Sequence, residues 1–202
     1  MQKQDIPIGS FSSWLHRIRR ALITQEETIV DCGECRACCT SSYFIHIAPD
    51  ETRTRSSIPK HLLFAAPGSS TGNLLLGYNE KGHCPMFIDN TCSIYAHRPF
   101  TCRSYDCRIF AATGLPAGDD RPLISQQACR WKFDLPTPQD HKLFSAVHAA
   151  ATFLHTNGEC FPEGFVPRNS TQQAVLAVKV YPAFLDIAQA SETSENTDQN
   201  QD

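Results

Sequence analysis

Cysteine spacing constrains this chain more than any other feature. The stretch 31-DCGECRACCTSSYFIHI-47 carries Cys32, Cys35, Cys38 and Cys39 almost shoulder to shoulder, and Cys84, Cys92, Cys102, Cys107, Cys129 and Cys160 follow. Loops this rich in thiol fold around disulfides, a metal or a redox centre. A chain of 202 residues with 41% hydrophobic content can bury a core of its own, so it does not need cross-links merely to fold. The N-terminus MQKQDIPIGSFSSWLHRIRR has no apolar leader core, and its basic residues follow Trp14-Leu15 rather than precede them. That pattern is unlike a secretory signal and leads us to expect a cytoplasmic, reducing location. Structural disulfides are rare there, which turns attention to metal ligation.

Charge and hydropathy remove two classes of partner. A formal net charge of -3 and a pI near 6.2 leave no basic footprint for nucleic acid. No apolar run approaches the roughly 20 residues of a membrane span. The cluster His16, Arg17, Arg19 and Arg20 reads as the solvated face of a helix.

Phe11, Trp14, Leu15, Ile18 and Leu22 recur at helical spacing and predict a helix over 11–23. Tyr43–Ile47 reads as a short strand, and Pro49-Asp50-Glu51 as the start of a short helix stopped by Pro59. Leu74–Tyr78, Cys84–Ile88 and Cys92–Tyr95, joined by turns at Asn79–Gly82 and Asp89–Thr91, predict a small antiparallel meander. Phe100–Ala112 reads as a helix ended by Gly114 and Pro116. After the Pro-rich punctuation 134–138, apolar spacing predicts helices over Pro138–Thr156 and Ser170–Ala190.

The fold class expected is α+β: a small irregular cysteine-rich metal-binding core with a short meander, flanked by helices. Its expected parts are an N-terminal helix and lead-in (1–27), a cysteine-cluster domain (28–133), a C-terminal helical extension (134–190) and a disordered tail (191–202). The expected core includes Trp14, Phe44, Ile45, Leu75, Phe87, Ile94, Phe110, Val147 and Leu176.

Two cysteines separated by two residues can turn their thiolates onto one ion, and Cys32-x2-Cys35-x2-Cys38 offers three such positions. Cys39 adjoins Cys38, and neighbouring side chains point to different sides. The pair therefore suits two centres, or a ligand plus a core thiol. A second cluster supplies Cys84 before Pro85, Cys92 in the same hairpin, and Cys102 and Cys107. Several thiolates around one divalent ion carry net negative charge. Arg36, Arg98, Arg103 and Arg108 lie close in sequence and can balance it or donate to sulfur; Arg98 and Arg103 are the residues we assign to contacting the bound group. Cys160 reads as a small buried hydrophobe, and Cys129 as ligand or core thiol. Among the histidines His83 and His97 lie nearest the cysteines, His83 reading as a turn residue. Glu26-Glu27 and Asp119-Asp120 read as solubilising charge. The HExxH, Walker A, dinucleotide-glycine and G-x-S-x-G patterns are all missing from the sequence.

The compound pattern C-x2-C-x2-C-C, then C-P-x-F, then C-S-I-Y-x2-R-P-x2-C-R-x-Y resembles the YkgJ-type cysteine-cluster family, which is described as a zinc- or iron-chelating domain. The likeness runs over Cys32–Cys129. It implies metal ligation by Cys32, Cys35, Cys38, Cys39, Cys84, Cys92 and Cys102, with an eighth ligand at Cys107 or Cys129. We place it at Cys107 for its spacing from Cys102. One branch of the family is associated with lysine methylation of flagellin, and nothing outside the cysteine region extends the likeness to that branch.

All-sulfur ligation suits zinc and iron–sulfur clusters alike. Three ligands from one loop with a remote Cys-Pro echo the ferredoxin pattern, while zinc stabilises irregular loops well. The expected function is thus chelation of zinc or an iron–sulfur cluster, either structural, as a platform for a protein partner, or redox. Two alternatives stand beside it: a metal-dependent, methyltransferase-like enzyme, and a thiol redox protein using Cys32–Cys35 or Cys38-Cys39.

Overall fold

The computed structural model describes residues 4–186, apart from residues 29, 31, 69–70, 159–160, 162–166 and 168. The chain opens with strand β1 (Ile6–Ser10), helix α1 (Phe11–Thr24) and a 3-10 turn at Ala37–Thr40. Next come β2 (Ile45–Ile47), α2 (Thr52–Ser57), β3 (Leu63–Ala65), β4 (Leu74–Leu76), β5 (Phe87–Ile88) and β6 (Thr91–Cys92). The remainder is mainly helical: α3 (Phe100–Arg103), α4 (Arg108–Thr113), α5 (Pro122–Ala128), β7 (Trp131–Asp134), α6 (Pro138–Thr156) and α7 (Ser170–Val180). The α+β class expected from sequence is what the chain adopts.

Two compact units divide these elements, one formed by Met1–Leu22 with Cys107–Asp202, the other by Ile23–Asp106. In the first, β1 and β7 pair in parallel, Ile6 opposite Trp131 and Ser10 opposite Asp134, with a bulge between Pro7 and Gly9. The start of α1 then packs as an aromatic cluster. Phe11 meets Phe133 and Phe144 edge-on, both at 5.0 Å, and Trp14 lies 4.9 Å from Phe133. Helix α6 begins at a capping box in which Thr137 accepts the Asp140 amide (3.1 Å). The buried Asp140 carboxylate in turn accepts from the Ser12 amide (2.8 Å) and the Thr137 hydroxyl. These bonds, led by the one from the Thr137 hydroxyl, hold the Asp140 pKa down at about 2. Helix α4 ends at Gly114 in the left-handed region (φ +70°), where a Cβ would approach His148 to 2.8 Å.

The second unit is built on less. Its sheet runs β2-β4-β3, antiparallel throughout, with Ile45 and Leu63 both opposite Leu76. Beneath it sits a core of Ile45, Ile47, Ile58, Leu76 and Met86, against which Cys84 and Cys102 pack. Strands β5 and β6 form a separate hairpin.

Several expectations need amendment. The three-stranded sheet has other members than the predicted meander. Pro85 has no amide to extend a ladder, and the Asn79 carboxamide, accepting from Lys81 and His83 amides (both 3.0 Å), closes a turn ahead of it. The predicted helix over 100–112 is two short helices. The Ser104 hydroxyl donates to the Phe100 carbonyl (2.9 Å) where the first one ends. Phe44 is 56% exposed rather than core, resting on Phe64 and Tyr78, because β2 begins two residues later than expected and its alternation turns Ile45 and Ile47 inward. Leu75, Phe87, Ile94 and Leu176 are half-buried, whereas Trp14, Ile45, Phe110 and Val147 are buried as expected. Helix α7 stops at Val180, followed by a 3-10 turn through Phe184. Cys160 and the tail 191–202 lie outside the described residues.

Candidate metal centre

Three segments of the second unit carry its cysteines. The first is the loop Cys32–Ser42. Gly33, at φ +49°, turns the chain so that the Cys35 amide donates to Cys32 O (2.8 Å). The Cys39 amide then closes onto Arg36 O (3.0 Å), and the Ser41 hydroxyl onto Ala37 O (2.6 Å). In this tight winding the adjacent pair separates, Cys38 being exposed and Cys39 half-buried.

The second segment lies directly against the first. The Cys84 amide donates to Cys39 O (2.8 Å), and the Ser42 amide to Gly82 O (2.9 Å). Gly82 has φ +74°, a conformation that favours glycine, and a Cβ there would stand 2.4 Å from the Ser42 hydroxyl, which would have to turn aside. Beyond Pro85 the β5–β6 hairpin turns on Asp89 and Asn90, both left-handed (φ +48° and +60°). This is the two-residue turn with positive φ at both centres that matches hairpin twist, and it sets Cys92 opposite Phe87.

The third segment carries Cys102 on α3. The Thr101 hydroxyl donates to His46 O (2.7 Å), fastening α3 to β2. Glu51, a residue that reading the sequence did not single out, organises the surroundings. Its carboxylate accepts from the Ala48 amide (2.8 Å) and the Phe100 amide, and pairs with Arg103 (3.6 Å). Arg103 also pairs with Glu27 and donates to Arg98 O (3.0 Å). Its guanidinium is thus committed to carboxylates and main chain. Arg98 stacks on Tyr95 at 3.9 Å, and its charge favours ionisation of Cys102.

The thiols sense one another. Burial pushes Cys39 up to about 11, and the nearby Cys84, Cys92 and Cys35 sulfurs add to the rise while Arg36 opposes it. Cys102 is driven to about 12 by burial and then by Cys84, Cys39 and Cys92. Cys84 rises through burial and Cys92, against hydrogen bonds from the Met86 and Phe87 amides. Cys39, Cys84, Cys92 and Cys102 are therefore electrostatic neighbours, with Cys35 at their edge. Among the described residues, no three Cys, His, Asp or Glu side chains already converge at ligating geometry, so the grouping is one of neighbourhood. Four thiols are a soft donor set. They fit zinc or iron–sulfur chemistry and not the oxygen-seeking calcium or magnesium.

Residues 31–130, about half of the chain, match a family described as "CxxCxxCC: Putative zinc- or iron-chelating domain". Residues 31–130 are a CxxCxxCC domain. No curated protein and no solved structure matches the chain.

The CxxCxxCC domain so defined also takes in Cys107 and Cys129, which belong to the first structural unit. Cys107 is buried there, its sulfur accepting the Trp131 indole N–H (3.3 Å). Cys129 is exposed at the end of α5. Cys32, on the loop, is exposed. No disulfide joins any two of the nine described cysteines. His83 packs against Phe87 and His97 is exposed. No helix among the described residues is long and apolar enough to cross a membrane.

Proposed function

We propose that the CxxCxxCC domain chelates one zinc ion or iron–sulfur cluster through Cys39, Cys84, Cys92 and Cys102, with Cys32, Cys35 and Cys38 on the same loop as its outer thiols. The observation that carries this reading is that Cys39, Cys84 and Cys102, each raised first by burial and then by neighbouring cysteines, come from three segments that hydrogen bonds hold in place. A cation placed among them displaces the protons and converts repulsion into ligation. The proposed set uses thiols of the Ile23–Asp106 unit alone, with Arg98 and Arg103 flanking it. Arg98 supplies charge beside Cys102, and Arg103 holds the chain around it. Bound there, the metal serves to fold the loop and hairpin around itself.

Thiol redox catalysis is the weaker reading. A reactive thiolate needs a lowered pKa, and burial raises those of Cys39, Cys84 and Cys102.

The test is metal and acid-labile sulfide content per chain, with an absorption spectrum, on protein purified without oxygen. Iron and sulfide in matching amounts mark a cluster, and zinc without colour marks a single-ion site. Cys102→Ser and Cys84→Ser should each weaken metal binding by more than the about 10–100-fold expected for losing an outer-shell partner. A chain purified without metal, or serine variants that retain full metal content, would refute the proposal.

A further inference from the structure

Arg36 lies inside the cysteine loop, yet its hydrogen bonds go to main-chain oxygens. Nη1 donates to Gly33 O and to Cys35 O, both at 2.9 Å, and Nε donates to Asn90 O at 2.9 Å. Two of these bonds fold the side chain back over its own loop. The third crosses to the turn of the β5–β6 hairpin, far along the sequence. Asn90 is the second centre of that two-residue turn, where the carbonyl lies outside the strand ladder and is open to another donor. Its left-handed backbone (φ +60°) holds that carbonyl in place.

We infer that Arg36 is a positioning residue, a clamp that fastens the cysteine loop to the β5–β6 hairpin and thereby sets how firmly the domain keeps its metal. The inference rests on the proposed metal site. Its content is geometric and distinct from charge balance. One rigid planar fork reaches carbonyls on two segments at once, and a lysine ammonium reproduces the charge without that fork. The clamp ties the segment bearing Cys35 and Cys39 to the hairpin bearing Cys92, so losing it lets the two halves of the ligand set drift apart.

The experiment compares the full chain with Arg36→Lys, Arg36→Met and Asn90→Gly. Metal release into excess chromogenic chelator is followed by absorbance, and amide hydrogen exchange is followed by mass spectrometry. Both Arg36 variants should release metal about 10–100-fold faster than the parent, the range seen when partners that orient ligands are removed. In both, exchange should quicken over 33–36 and 88–92, with α6 unchanged. Asn90→Gly keeps the left-handed turn and the carbonyl, so its release rate should match the parent. An Arg36→Lys variant that behaves like the parent would assign the residue to charge and overturn the clamp. Protection lost in α6 as well would make Arg36 a general stability residue and overturn it equally. If the parent holds no metal, the proposed function fails, but the exchange comparison still decides the clamp, since the hairpin must loosen in both Arg36 variants for it to stand.

Discussion

At the scale of single residues, the thiols make the protein's pH behaviour asymmetric. Cys39, Cys84 and Cys102 have raised pKa values when folded, so the metal-free fold favours their neutral form. The associated stability is present below the ordinary thiol pKa of about 8.5 and is lost as pH rises through the folded values, about 11 for Cys39 and about 12 for Cys102. Metal-free protein should therefore lose thermal stability progressively above about pH 8.5, and metal-loaded protein should resist, because its thiolates are already ionised and paired. Thermal melts across pH 7–11 with and without chelator check this; identical profiles would contradict it. Sequence reading reached the thiols but centred them on the Cys32-x2-Cys35-x2-Cys38 run and left Cys39 as a ligand or a core thiol. Burial separates Cys39 from Cys38 and Cys84 from Cys32, and burial depends on what packs above each residue. Glu51 and Asn90 were missed for a related reason. An isolated Glu near a helix start, or an Asn in a turn, has several equally ordinary uses. Only the Asp89-Asn90 pairing between two short strands hinted at a left-handed hairpin turn.

At the scale of elements, local signals were reliable where the chain caps itself. Helix α6 matches its predicted span because Thr137, Pro138 and Asp140 form a start signal that needs no tertiary partner. Thr137→Ala should cost about 1 kcal/mol of stability, the usual loss for an N-cap hydroxyl, read as a lower thermal or urea midpoint. Asp140 adds an acid limb. Its folded pKa of about 2 lies below the unfolded value of about 3.9. Its contribution is thus complete above about pH 5 and is lost as pH falls through about 2, and Asp140→Asn should flatten the stability profile across that window. The strands were less legible. β1 carries Pro7 and Gly9, which argue against a strand locally, and it exists because Trp131–Asp134 supplies a parallel partner from far along the chain. β5 and β6 shrink to two residues each because Pro85 and the Asn79 turn decide where the ladder can begin. Neither effect has a periodicity to read.

At the scale of the whole molecule, the two units differ in what holds each together. The Met1–Leu22 and Cys107–Asp202 unit buries Phe11, Trp14, Phe110, Trp131, Val147 and the alanine face of α6. Among the described residues, the Ile23–Asp106 unit gathers five buried residues into its core cluster. A domain so thinly cored usually relies on a metal or a disulfide, and no disulfide joins its described cysteines. Removing metal should accordingly raise hydrogen exchange in β2, β4 and the β5–β6 hairpin while leaving α6 and α7 protected. Unchanged protection in the Ile23–Asp106 unit would show that the small core suffices without the metal. The α+β class and the chelating domain were both legible in sequence, since composition and cysteine spacing are carried by every residue in order. The division into units was not, because Cys107 begins a new unit immediately beside Asp106 with no change in composition to mark it.

The four grouped thiols are not made at the same moment. Cys39 leaves the ribosome well before Cys84, Cys92 and Cys102, and at about 5–20 residues per second the gap lasts several seconds. During that interval the nascent loop displays Cys32, Cys35, Cys38 and Cys39 with none of the later segments present to shelter them. The bond from the Cys84 amide to Cys39 O can form only once the second segment has been translated, so the loop meets its partner segment late.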